Sequence, residues 1–106
     1  MSIEEDRQVV AKLLGGSIIG DKYNRIYVRV SGVDTLIDTL DGIASLWPKE
    51  WTWKRYVISG GLGWIAIKDG PFANTLSVHD TGNELADRTR LLRLVLEASI
   101  KKGNIT

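Results

Sequence analysis

Apolar and polar positions change their period several times along the chain, and each change marks an element. Val9, Val10, Leu13 and Leu14 recur at helical spacing behind Ser2 and Glu5, whose separation is that of a capping box. A first helix is therefore predicted over residues 3–14, ended by Gly15-Gly16. Ile18 and Ile19 are expected to be buried in the next connection, and Gly20 to Asn24 reads as a polar turn. Ile26, Val28 and Val30 then alternate with Tyr27, Arg29 and Ser31, which predicts a short strand. From Val33 the period lengthens. Val33, Leu36, Ile37, Leu40, Ile43, Ala44 and Trp47 follow three-and-four spacing with Asp34, Asp38 and Asp41 opposite, so a second helix is predicted from Val33 to Trp47, stopped by Pro48.

Trp51 to Lys68 reads as a β-hairpin with large apolar residues on both faces. A two-residue Gly60-Gly61 turn would pair Ser59 with Leu62, Val57 with Trp64, Arg55 with Ala66 and Trp53 with Lys68, leaving Tyr56, Ile58, Ile65 and Ile67 on the other face. An Asp69-Gly70-Pro71 turn and a third strand over Asn74 to His79 come next, with Leu76 and Val78 sharing a face. Thr81 and Glu84 repeat the capping-box spacing before the longest helix, from Asn83 to Lys102. Its wide stripe of Leu85, Leu91, Leu92, Leu94, Val95, Leu96, Ala98 and Ile100 implies heavy burial. Gly103 is the expected cap, with Asn104 to Thr106 fraying.

This order predicts an α/β (α+β) fold forming one domain over residues 1–106. A small antiparallel β-sheet of three to four strands, built on the Trp51-Lys68 hairpin, is flanked or sandwiched by three α-helices. Three amphipathic helices suffice to cover both hairpin faces. Trp51 and Trp53 are then the indoles left as candidates for exposure.

Charge and composition narrow the partners only slightly. Fourteen basic and 13 acidic residues leave a formal charge of +1, and six basic and eight acidic groups up to residue 50 give way to eight and five beyond it. The absence of cysteine removes disulfides, thiolate metal sites, iron-sulfur clusters and cysteine nucleophiles, and fits a reducing compartment. With no apolar run of membrane-spanning length and an acidic start, the chain is expected to be soluble and cytoplasmic.

Basic and aromatic residues mix at Lys49, Trp51, Trp53, Lys54, Arg55 and Tyr56, and Arg88, Arg90 and Arg93 lie on the last helix. Such mixing can stack bases beside cations that hold phosphates, so Trp51, Trp53, Lys54, Arg55, Arg88, Arg90 and Arg93 form the candidate interaction surface. The competing reading places Trp53, Val57, Trp64 and Ala66 under helices and makes the arginines a solvated face. The helix-strand-strand-strand-helix order is similar to that of double-stranded RNA-binding domains. Glu84 and Asp87, however, stand where those domains carry a basic cluster.

Other motifs have simpler explanations. Asp80-Thr81-Gly82 matches the tripeptide that carries the catalytic aspartate of retroviral-type aspartic proteases, but it comes late and opens a helix, and Ile18-Ile19-Gly20 precedes it. A strand-to-helix turn with a Thr cap accounts for it. Gly61-Leu62-Gly63-Trp64-Ile65-Ala66 fits a GxGxxA dinucleotide pattern, yet the residues after Gly63 are β-patterned and do not open the helix that would hold a pyrophosphate. His79 is the sole histidine and lacks a partner motif, and Asp34, Asp38 and Asp41 read as a solvated helix face before they read as a cation site. No catalytic residue, cofactor or metal is expected.

Over nearly the whole chain the sequence resembles the phage alpha-beta-alpha sandwich domain family, small proteins of phages and prophages. Gln8 to Gly15, Val33 to Trp47, Gly63-Trp64 within a strand and the closing helix at Leu85 to Ala98 carry the likeness. The cysteine and repeated alanines often seen in that family's closing helix are missing here. The resemblance implies the fold and a phage or prophage origin more than a function, and it brings no catalytic residues; the leading expectation is a non-enzymatic phage or prophage accessory protein that binds a host or phage macromolecule. A protein partner leads, a nucleic acid is the alternative, and an Asp80-dependent hydrolase is the remote third.

Overall fold

The computed structural model describes residues 2–58, 60–68 and 74–105. Two antiparallel three-stranded sheets and three helices form a mixed α+β fold. In chain order the elements are α1 (Ile3–Leu13), β1 (Ser17–Gly20), β2 (Ile26–Val30), β3 (Val33–Leu36), α2 (Leu40–Ser45), β4 (Trp51–Ile58), β5 (Gly61–Lys68), β6 (Asn74–His79) and α3 (Glu84–Ile105). The sheet built on the long hairpin has the expected three strands, in the order β4-β5-β6, and a second sheet, β1-β2-β3, comes from the first forty residues.

The predicted first helix forms almost as read. The Ser2 hydroxyl accepts the Glu5 N–H at 3.2 Å, and Glu4, Glu5 and Asp6 fill the first turn, where the helix dipole favours negative charge. Ile18 and Ile19 lie in β1 and not in a connection, and both pair with β2, Ile18 with Val28 and Ile19 with Tyr27. The turn from Gly20 to Asn24 is organised by Asp21, whose carboxylate accepts the Tyr23 and Arg25 N–H groups and the Tyr27 hydroxyl.

The predicted helix from Val33 to Trp47 is corrected to a strand, a bend and a six-residue helix. Ser31 and Gly32 both have positive φ, 52° and 80°, as a two-residue type I′ hairpin turn requires, and Val30 pairs directly with Val33. The turn reverses the chain before any helix can begin. Apolar residues at 33, 36 and 37 fit a strand and its exit as well as they fit a helix. Thr39 then caps α2 by accepting the Gly42 N–H at 3.0 Å.

Across the β2-β3 pair, Asp34 takes two hydrogen bonds from Arg29, at 2.7 and 3.1 Å, and these hold its carboxyl below the usual value of 3.8. Hydrogen bonds from the Arg25 and Tyr23 N–H groups and the Tyr27 hydroxyl act on Asp21 in the same direction. Because both folded values lie below the unfolded one, the stabilisation is complete above 3.8 and disappears as pH falls through the lowered values. Urea titrations between neutral pH and acid are expected to show a loss of stability beginning below 3.8 that is shallower in Asp21→Asn/Asp34→Asn. An identical acid slope in that variant would refute the assignment.

In the long hairpin Ile58 pairs with Gly61, Val57 with Leu62, Arg55 with Trp64, Trp53 with Ala66 and Trp51 with Lys68. The turn thus falls one residue earlier than expected, with Gly60 inside it at φ 91°. Ser59, expected opposite Leu62, lies outside the described residues, as does the Asp69-Gly70-Pro71 turn. The pairing slides by two positions, so every residue keeps the face that the alternation assigned.

α3 lies between two apolar clusters. Leu92 and Leu96 meet Val10, Ala11, Val28, Ile37 and Ile43 on one side, while Leu91 and Val95 meet Trp51, Trp64, Ala66 and Val78 on the other. Trp47 packs against both clusters. The helix starts with Asn83, whose side chain accepts the Ala86 N–H at 3.1 Å. Thr81 is not its cap: the Thr81 hydroxyl and N–H both bond to the buried Asp87 carboxylate, at 2.6 and 3.0 Å. α3 also continues past Gly103 to Ile105 instead of ending at Lys102.

The expectation that both hairpin faces are buried is corrected as well. α3 covers the face with Trp53, Trp64 and Ala66. On the opposite face Thr52, Lys54, Tyr56, Thr75, Ser77 and His79 are exposed. Ile65, buried on the central strand between Lys54 and Ser77, belongs to neither apolar cluster.

Candidate functional site

β4, β5 and the first half of α3 bring most of the basic and aromatic candidates together. β-alternation puts Trp51, Trp53 and Arg55 on the face that meets α3, and helical spacing turns Arg88 toward them. The Arg88 guanidinium lies 3.6 Å from the ring centre of Trp53 and 4.9 Å from that of Trp64, with Glu84 Oε1 accepting from it at 3.2 Å. Trp53 makes tilted or edge contacts with Trp64 at 5.9 Å and Trp47 at 6.5 Å. A guanidinium over an indole gains from the negative ring face, and the gain grows as water is excluded. This group is a cation–aromatic stack closed on itself.

The remaining predicted residues divide by what already holds them. Trp51 is 4% exposed and donates its indole N–H to Ser99 at 3.1 Å, so it is part of the core. Arg93 bonds to Asp6 at 3.0 Å and Glu97 at 2.8 Å, and Arg90 lies 3.9 Å from Asp6, so these two arginines join α3 to α1. The hydrogen bonds Arg93 donates to Glu97, and then to Asp6, raise its pKa. These arginines are ion-paired within the molecule, a role the solvated-face reading left out. Arg55 is exposed, pairs with Asp80 and sits 5.5 Å from the Trp64 ring; Lys54, on the opposite face, lies over Tyr56 at 5.3 Å.

Three exposed neighbours complete the hairpin end. Tyr56, Val57 and Leu62 are 52%, 69% and 53% exposed, and with Arg55 they line one shallow concavity. The cause is a mismatch of strand lengths. β6 ends at His79, opposite Gly63, and only the Asp80 N–H, donating to the Leu62 carbonyl at 3.0 Å, carries the ladder on beside the Val57-Leu62 pair. Sequence reading placed Val57 under a helix. The signal available was that six strand residues precede Asp80-Thr81-Gly82 while each hairpin arm has eight.

The other motifs are held in structural roles. Asp80 accepts from Arg55 and from the Gly82 N–H at 2.8 Å, closing the turn that leads into α3. Gly61 and Gly63 lie within β5, with no helix N-terminus after them to hold a pyrophosphate. Asp34 pairs with Arg29, Asp38 with Arg25 and the Ile26 N–H, and Asp41 lies in the first turn of α2, so the three do not converge on a cation. Among the described residues no three His, Asp or Glu side chains gather as a metal site, and no helix is long and apolar enough to cross a membrane.

Fold and surface together define a two-sheet α+β protein with an internal arginine-tryptophan stack and an exposed apolar hairpin end. No protein-family model, no curated protein and no solved structure matches this chain.

Proposed function

We propose that this is a non-enzymatic binding protein that uses the end of the β4-β5 hairpin to hold a protein partner. The observation that carries the proposal is the cluster of Tyr56, Val57 and Leu62, all more than half exposed and beside the Arg55 cation. Single exposed apolar residues are ordinary, but adjacent ones at one hairpin end lose water only when something covers them. The nucleic-acid alternative needs free indoles and arginines, and here Trp51, Trp53, Arg88, Arg90 and Arg93 are engaged within the fold. A phage or prophage setting rests on the resemblance at Gln8 to Gly15, Gly63-Trp64 and Leu85 to Ala98; the segment from Val33 to Trp47 no longer contributes as one helix. We assign the protein to the cytoplasm on its lack of cysteine.

Affinity capture from the producing cell provides the test. A partner held by the wild-type chain is expected to be retained by Tyr23→Ser, a control at another exposed aromatic, and weakened at least about tenfold by Val57→Ser/Leu62→Ser, as truncating two central contacts would do. Capture of nothing, or equal capture by the hairpin variant, counts against the proposal. Retention of nucleic acid that falls steeply with salt and with Lys54→Ala/Arg55→Ala would favour the alternative.

A further inference from the structure

Four polar or charged residues are buried among the described residues, and three of them are satisfied: Asp6 by Arg93, Asp87 by Thr81, and Thr89 by the Leu85 carbonyl at 2.6 Å. Arg7 is the fourth. It is 9% exposed, its Nε is sealed from solvent without a hydrogen-bond partner, and no described residue forms an ion pair with it. Buried guanidinium groups are ordinarily paired, because desolvating a cation is costly unless an anion or several acceptors replace the lost water.

Arg7 lines a cleft of about 230 Å³ between α1 and the β1-β2 edge, together with Glu4, Gln8, Ile18, Ile19, Gly20 and Ile26. Three isoleucines make its walls apolar, and Arg7 is its single cation. We infer that this cleft is a binding site for a small aliphatic carboxylate, whose anionic end pairs with Arg7 and whose hydrocarbon lies against Ile18, Ile19 and Ile26. A carboxylate matches the planar fork of a guanidinium through two parallel hydrogen bonds, which a neutral head group cannot reproduce. Glu4, one helical turn before Arg7, adds a negative charge to the rim and so disfavours multiply charged anions.

Hexanoate joins one carboxylate to a short aliphatic chain, and backbone amide NMR titration of the full chain tests it beside hexanol and inorganic phosphate. Hexanoate is expected to shift the Ile18, Ile19 and Gly20 amides saturably, with hexanol and phosphate each at least about tenfold weaker, the loss expected when one half of the recognition is absent. Arg7→Gln is expected to weaken hexanoate to the level of hexanol. Equal binding of hexanol removes the anion from the inference, equal binding of phosphate removes the hydrocarbon, and no saturable shift with hexanoate overturns it. The three-ligand comparison on the wild-type chain decides the matter even where Arg7→Gln does not fold. Because the cleft and the hairpin end are separate surfaces, either can fail without the other.

Discussion

Gly42→Ala is expected to destabilise the protein by about 3 kcal/mol, against the usual direction of a glycine-to-alanine change in a helix, because overpacking against fixed backbone outweighs propensity. In an unobstructed helix interior the same change gains roughly 1 kcal/mol. Here a methyl group at position 42 would land on the carbonyl oxygen and carbon of Leu36, and the Thr39 hydroxyl is also close. The obstruction is the end of β3 and cannot swing aside as a flexible side chain can. The backbone of α2 or of β3 must move, and Ile37 and Ile43, both fully buried, move with it. Urea unfolding should show the midpoint falling with an unchanged slope. A midpoint equal to or above that of the wild type would mean that α2 does not approach β3 as closely as described.

Arg93→Met is the second large effect, expected to cost about 3 kcal/mol because it strips a buried carboxylate of its main partner. Asp6 is 1% exposed, with Arg93 at 3.0 Å and Arg90 only at 3.9 Å. Arg90 therefore compensates in part, and Arg90→Met, whose loss leaves the closer arginine in place, should cost less than about 1 kcal/mol. Replacing both partners, Asp6→Leu/Arg93→Met, should recover part of the loss, since it removes the stranded charge along with the cation. Thermal or urea denaturation of the four proteins supplies the comparison. Equal costs for Arg90→Met and Arg93→Met would contradict the assigned roles.

The α3 arginines changed meaning between sequence and structure. Arg90 and Arg93, three residues apart, share a helix face that Arg88 does not, and nothing local shows that Asp6, more than eighty residues away, lies against these two. The stack of Arg88 on Trp53 and Trp64 is equally non-local, because it depends on β4 and β5 lying beneath the helix. Arg55, Lys54 and Tyr56, close to one another in sequence, did stay exposed together. The exposure of Val57 and Leu62 at the hairpin end, which sequence reading missed, turns on where β6 stops.

Sequence alone determined the features that short-range chemistry dictates. The Ser2 cap, the extent of α1, the strand residues of the hairpin with their two faces, and the position where α3 starts, though not its capping residue, all come from side-chain period and from residues that satisfy backbone groups nearby. Tertiary structure decided the rest. An apolar residue every third or fourth position from Val33 suits either a helix or a strand and its exit, and the Ser31-Gly32 reversal, by placing Val33 opposite Val30, selected the strand. The hairpin slid by two positions at no cost to its alternation, so its register answers to the whole sheet and its turn. Which cations are paired, which carboxylate is buried and which buried arginine has no partner depend on segments far apart in the chain, because pairing is set by distance in space and not by separation in sequence.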